Sequence, residues 1–252
     1  MKNPSRSAAL ILTGLLAGTG LVSAGTPAAI PAPPAPEAES PISSEVSVGY
    51  DTFYIFRGEE LFEQVVWGQV SVDIALGEKL SLNLTPWYLS GIDDDYTELD
   101  LLASLTYDAG FVEITGGYAG YLYPRGSFGG NEGIDDEHEA TLGLAKSFGP
   151  FEVSTLAAYN FDREGTYLEA GVGASFEICK YAALEPSVAV GYSSNYFAED
   201  GFTHVLLTLA LPIKLTETAT LRPYVAGNIP LEVLEETQDA EIFGGVSLAV
   251  SF

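Results

Sequence analysis

The chain has 252 residues, enough for one large or two small domains, and 35 acidic against 10 basic residues give a formal net charge of −25. That charge excludes a nucleic-acid-binding protein held by basic patches, because phosphates would be repelled. Intrinsic disorder is excluded as well, since 47% of the residues are hydrophobic and 12% are aromatic.

The N-terminus has the features of an export signal. Lys2 and Arg6 precede an apolar run over residues 8–16, and Val22-Ser23-Ala24 forms a small-residue cleavage site. We therefore expect a cleaved signal peptide over residues 1–24. A membrane anchor is the alternative, but three glycines interrupt the apolar stretch. Residues 25–44 are rich in proline and alanine, a composition that predicts an extended linker.

From residue 45 to the C-terminus, apolar residues alternate with small or polar ones. This period of two predicts an all-β fold, which we interpret as a closed antiparallel up-and-down transmembrane β-barrel over 45–252. The candidate strands are 45–56, 64–76, 80–89, 98–107, 111–123, 138–147, 151–160, 166–177, 183–193, 202–213, 219–230 and 242–252. Pro86, Pro186 and Pro223 fall inside three of them and should mark bulges or strand ends, so ten strands is the alternative count.

Long and short connections alternate between these strands. The long ones are 57–63, 90–97, 124–137, 161–165, 194–201 and 231–241, and they hold 19 of the acidic residues. The short ones are 77–79, 108–110, 148–150, 178–182 and 214–218, with three acidic residues. This asymmetry predicts a barrel in the bacterial outer membrane with long acidic loops outside the cell and tight turns in the periplasm. A secreted sandwich or a lipocalin-like barrel is the alternative.

Aromatic residues lie near the strand ends, as in the girdles of membrane barrels. The belt predicted at the loop rim is Tyr54, Phe56, Tyr88, Tyr159 and Tyr192, and the belt predicted at the turn rim is Tyr107, Phe151, Phe176 and Phe252. The last strand ends in Phe252 and resembles the C-terminal recognition strand of bacterial outer-membrane proteins. The expected partners are therefore outer-membrane lipid, lipopolysaccharide and the barrel-assembly machinery, with no nucleic acid.

If the apolar residues face lipid, the opposite parity faces the lumen. The charged candidates for lining a pore are Asp51, Arg57, Asp73, Asp100, Glu113, Glu169 and Arg222. Because acids outnumber bases in this set, we expect a porin or channel for passive diffusion of small solutes, with a preference for cations. The alternative is a filled barrel, a structural or surface-interaction protein in which acids pair with Arg57 and Arg222.

Residues 49–60, which run from Gly49 through a Phe-Arg-Gly turn to Glu60, carry a resemblance to a known family. Tyr50, Asp51, Tyr54 and the turn residues 56–58 match the opening strand of the TorF-type porin family, a group of bacterial outer-membrane β-barrels. The resemblance covers about a dozen residues and implies the barrel architecture more firmly than a substrate.

The sequence predicts no enzyme and no cofactor. Its two histidines, His138 and His204, belong to no serine-centred motif, and His204 is predicted to be a solvated rim residue. The acidic runs 93–95 and 133–137 match no calcium-binding loop, so any divalent site there would be weak. The single cysteine, Cys179, excludes an intrachain disulfide.

Overall fold

The computed structural model describes residues 41–93, 96–124 and 136–252, so the predicted signal peptide and most of the predicted linker lie outside it. The strands are β1 Ile42–Phe56, β2 Glu59–Ala75, β3 Leu80–Gly91, β4 Thr97–Asp108, β5 Glu113–Leu122, β6 Glu137–Phe148, β7 Phe151–Asn160, β8 Gly165–Ala174 continued by Phe176–Cys179, β9 Ala182–Ser194, β10 Gly201–Ala210 continued by Ile213–Lys214, β11 Ala219–Pro230 and β12 Glu241–Ser251. These described residues include no helix long and apolar enough to cross a membrane.

The twelve strands form one closed antiparallel barrel. Each strand pairs with its neighbours in the chain, and β12 pairs back onto β1, from Glu45 opposite Ser251 to Asp51 opposite Gly245. The predicted fold class and the count of twelve are confirmed. Strands β7 and β11 have the predicted bounds, whereas β1 begins at Ile42, so residues 42–44 belong to the barrel and not to the linker.

The three prolines inside strands each lie beside an interruption of the sheet. The ladder between β2 and β3 has no paired residues at Pro86. Pro186 lies one position from the residue that faces the break in β8 at Ser175, and Pro223 lies opposite the break in β10 at residues 211–212. A proline cannot donate a backbone hydrogen bond, and the break in the facing ladder removes the need for one.

The outer face of the wall is apolar. Val48, Leu101 and Leu142 are 54%, 47% and 53% exposed, while residues of the opposite parity, such as Ser47 and Asn83, are buried in the interior. All four aromatic residues predicted for the turn rim are exposed, as are Tyr88 and Tyr159 at the loop rim. A sheet with this polarity presents hydrocarbon to its surroundings and polar groups to its lumen.

The connection between β1 and β2 differs from the prediction. The prediction of a loop over 57–63 is wrong, because the two strands are joined by a two-residue turn, Arg57-Gly58. Both residues have positive φ, 54° and 92°, which is the geometry of a type I′ hairpin turn. Glycine adopts this conformation without strain, and Arg57 is held in it by the contacts described below.

Candidate functional site

The tip of the β1–β2 hairpin leaves the barrel wall. Pairing of β1 with β12 stops at Asp51, and pairing of β2 with β3 begins at Val65. Residues 52–64, called the mouth hairpin below, therefore pair mainly with each other, with a register shift between Tyr54 and Ile55. Residues 54, 55, 57 and 58 are all buried, which rules out a hairpin that projects into solvent. The mouth hairpin folds inward across the loop-rim opening.

Contacts around the barrel hold the mouth hairpin in this position. The ring of Phe62 stacks on the ring of Tyr96, with 3.9 Å between the ring centres, and the ring of Phe56 contacts the ring of Tyr121 on β5, with 5.7 Å between the ring centres. On the opposite side, Asn228 of β11 donates its amide Nδ2 to the carbonyl oxygen of Gly58 at 2.9 Å. The hairpin thus spans from the β3–β4 side to β11 and closes the outer half of the lumen.

The turn residue Arg57 forms the central polar contact of the closure. Its Nη1 and Nη2 donate to Oε1 and Oε2 of Glu139, both at 2.6 Å. Glu139 lies on β6, across the barrel from the hairpin, and the side chains of Arg57 and Glu139 are both buried, with 6% and 0% exposure. Two parallel charge-assisted bonds give this pair both strength and a fixed geometry.

Three aromatic rings surround the Arg57 guanidinium. Its Cζ atom lies 4.7 Å from the ring centres of Phe56, Tyr167 and Tyr196. The Glu139 carboxylate supplies the opposite charge that a buried guanidinium needs. The guanidinium therefore stays charged inside the barrel.

Three predicted lining residues lie near this closure. Asp51 is buried where the mouth hairpin leaves the wall and accepts hydrogen bonds from Trp67 Nε1 and Tyr224 OH, both at 2.7 Å. Glu169 accepts from Tyr167 OH at 2.7 Å. The carboxylate of Asp100 is fully buried and pairs with the buried carboxyl group of Glu98 on the same strand.

The other predicted lining residues lie in the half of the lumen nearer the turn rim. Asp73 accepts from Asn83 at 2.9 Å, and Arg222 donates to Glu185 at 3.1 Å. Asp73 and Glu113 point inward but are only half-buried, so water reaches them. The structure thus divides the seven candidates between the outer half, which the mouth hairpin occupies, and the inner half, where Asp73, Glu113 and Arg222 are partly exposed. Their role in lining a conducting pore stays a prediction.

Three expectations about individual residues are wrong. Tyr54 and Phe56 do not belong to an outer aromatic belt, because they lie on the mouth hairpin, where the alternation of the wall no longer applies. His204 is not a solvated rim residue: its side chain is buried on β10, with Nδ1 2.9 Å from Thr203 Oγ1 and its ring against Gly58.

Glu139 and Glu185, the partners of the two interior arginines, were not predicted from the sequence. The signal for Glu139 was present, because it has the opposite parity to the outward Leu142 and Leu144 on the same strand. Glu185 likewise has the opposite parity to the outward Val188. Alternation could not predict the pairing, since Arg57 and Glu139 are 82 positions apart and the β1–β2 hairpin is not a neighbour of β6 in the sheet.

The carboxylates of the described interior are not arranged as a metal site. Among residues 41–93, 96–124 and 136–252, no group of three or more His, Cys, Asp or Glu side chains could hold a metal ion. The acidic runs 93–95 and 133–137 lie partly outside these ranges.

Comparison with known proteins shows the fold. No protein-family model and no curated protein sequence matches the chain. The COG4313 outer-membrane channel from Pseudomonas putida F1 is similar with a TM-score of 0.57 at 12% identity, covering 87% of this chain and 99% of that one. The NanC porin has a TM-score of 0.51 at 8% identity, covering 83% and 98%. The KdgM porin has a TM-score of 0.50 at 11% identity, covering 83% and 99%. The fold is that of an outer-membrane β-barrel.

Proposed function

We propose that this protein is an outer-membrane channel for passive diffusion of small solutes, with a preference for cations, and that the mouth hairpin closes it in the conformation described. The observation that carries the proposal is the partial exposure of inward-pointing acids such as Asp73 and Glu113, which stay accessible to water in the half of the lumen nearer the turn rim, inside an apolar wall. An inert, filled barrel has no need of hydrated carboxylates, whereas a cation pathway uses them.

Two further observations support the proposal. The mouth hairpin forms few backbone hydrogen bonds with the wall strands beside it. It can therefore move out of the lumen while the ring of twelve strands stays intact. The similar solved barrels include porins, although identities of 12% or less do not transfer a solute. The resemblance of residues 49–60 to TorF-type porins agrees with the same class.

The proposal includes the setting of the barrel. The export signal at residues 1–24 takes the chain across the inner membrane, and the C-terminal strand ending at Phe252 is recognised by the barrel-assembly machinery. Lipid and lipopolysaccharide surround the wall, and the acidic loops face the outside of the cell. Solutes pass without chemical change, without a cofactor and without catalysis.

A second function is favoured by one specific observation. Both interior arginines of the described chain are paired with carboxylates, and the outer half of the lumen is filled by the mouth hairpin. A permanently closed barrel would be a structural or surface-interaction protein without transport. The two functions differ in a single property, the passage of ions.

The test is the reversal potential across a planar bilayer under a salt gradient. The protein is compared with an Asp73→Asn, Glu113→Gln, Glu152→Gln variant. Glu152 is a half-buried acid on β7, with the opposite parity to the outward Phe151 and Val153. Glu78→Gln, a change at an exposed position in the β2–β3 turn, serves as the control. We expect current steps that prefer K⁺ over Cl⁻, with the preference reduced in the triple variant and unchanged in the control. Inserted barrels without any current would support the closed barrel instead.

A further inference from the structure

The site that holds Arg57 is built by the wall, independently of the mouth hairpin. The Glu139 carboxylate also accepts hydrogen bonds from Tyr121 OH at 3.1 Å, Tyr196 OH at 3.0 Å and Asn160 Nδ2 at 3.3 Å. These donors come from β5, from the β9–β10 connection and from β7. None of these three donors belongs to the mouth hairpin, so the carboxylate has hydrogen-bond partners other than Arg57.

The shape of the site matches a planar cation. The rings of Tyr167 and Tyr196 lie under the guanidinium, and the two carboxylate oxygens of Glu139 accept from its two terminal nitrogens. We call Glu139, Tyr121, Asn160, Tyr167 and Tyr196 the arginine cage. Planar stacking and bidentate bonding favour a guanidinium over an ammonium of equal charge, because an ammonium is a compact, strongly hydrated point charge.

The surroundings of the arginine cage are acidic. Glu98 and Asp100 are buried in the same outer half of the lumen, and Glu169 accepts a hydrogen bond from Tyr167, whose ring lies over the Arg57 guanidinium, so the positive charge of Arg57 lies among carboxylates. Removing Arg57 would leave buried carboxylates without this compensating charge, which is costly. When the mouth hairpin leaves, another cation is therefore favoured in its place.

We propose that the arginine cage is a binding site for guanidinium-type cations in the lumen, and that Arg57 is its built-in occupant in the closed conformation. A solute bearing a guanidinium group replaces Arg57 in the cage and keeps the mouth hairpin from returning. This inference rests on the proposed channel function and deepens it by naming a solute class and a position in the lumen where that class binds.

The test is calorimetric titration of the folded, detergent-solubilised Arg57→Ala barrel with ethylguanidinium, and separately with ethylammonium. We expect saturable binding of ethylguanidinium, with at least about tenfold weaker binding of ethylammonium. Arg57→Ala combined with Glu139→Gln should lose the binding. Arg163→Ala is the matched control, because it removes the other guanidinium over the Tyr196 ring, at 4.9 Å, but leaves Arg57 in the cage. It should show no saturable binding.

Each outcome decides for or against the cage. No saturable binding to Arg57→Ala, equal binding of both cations, or binding that survives Glu139→Gln would overturn the inference. Where Arg57→Ala does not refold, the refolding yield replaces calorimetry: rescue by ethylguanidinium and not by ethylammonium supports the cage, and no rescue overturns it. If the barrel binds ethylguanidinium but conducts no ions, the channel function is rejected and the arginine cage is supported. If the barrel conducts K⁺ selectively but does not bind ethylguanidinium, the channel function is supported and the arginine cage is rejected.

Discussion

The guanidinium of Arg57 and the carboxylate of Glu139 join residues 82 positions apart through two buried hydrogen bonds of 2.6 Å. Arg57 is at the turn of the mouth hairpin, and Glu139 is on a strand at the far side of the barrel. One ion pair therefore fixes the position of the segment that closes the lumen. Most consequences of the structure can be tested by breaking this pair.

The first prediction concerns stability. Arg57→Ala or Glu139→Gln should each lower the free energy of unfolding by about 3–5 kcal/mol, because each leaves a buried partner without its counter-charge. Urea unfolding followed by tryptophan fluorescence measures the loss, since both tryptophans, Trp67 and Trp87, belong to the cluster packed around the hairpin. The double variant should lose less than the sum of the two single changes.

The control for this prediction is the pair Arg163–Glu137 at 2.8 Å, whose arginine is 36% exposed. Arg163→Ala should cost less than about 1 kcal/mol, because solvent screens a pair at the surface. A similar loss for Arg57→Ala and Arg163→Ala would show that the buried pair has no special role in the closure.

The second prediction concerns the turn geometry. Gly58→Ala should destabilise the barrel by at least about 1–2 kcal/mol, since a side chain is disfavoured at φ 92° and a Cβ atom there would also meet the ring of His204. Gly77→Ala is the matched control in the β2–β3 turn, where an added Cβ meets nothing within 4 Å. Equal thermal stability of the two variants would contradict the buried position of the turn.

The third prediction concerns movement of the mouth hairpin. In a Cys179→Ser background, a thiol at Ile55→Cys should react slowly with a water-soluble maleimide, because Ile55 is buried against Ala226 and Phe243. Adding Arg57→Ala should speed the reaction by tenfold or more, as the hairpin spends more time away from the wall. The control is Asp239→Cys, at an exposed position, which should react at the same rate with and without Arg57→Ala. No acceleration at Ile55→Cys would mean that Arg57 does not hold the mouth closed.

The barrel could be predicted from sequence because its signal is local. Alternation along each strand depends only on which face meets lipid, so strands such as 151–160 and 219–230 are located to the residue. The inward fold of residues 52–64 was not predictable in this way, since alternation cannot tell a wall strand from one that leaves the wall. The positive φ at Arg57 and Gln64 and the register shift beside Tyr54 appear only in the structure.

The interior was predicted in part for the same reason. Parity gives the inward direction of Asp51 and Asp73, but it gives neither their partners nor their depth in the lumen. The expectation that acids exceed bases inside agrees with the buried Glu98, Asp100 and Glu139. The burial of His204 was missed because it depends on a contact with the hairpin turn, which comes from the other end of the chain.

The most direct test removes the mouth hairpin. Asp51 and Val65 are cross-strand partners, so an Asn-Gly turn can replace residues 52–64 and join them as a type I′ hairpin. Heat-modifiable migration on a gel confirms that the shortened barrel has folded. We predict that its single-channel conductance in planar bilayers exceeds that of the full-length chain severalfold and favours K⁺. Equal conductance of the two proteins, or silence of both after insertion, would contradict a channel closed by this hairpin.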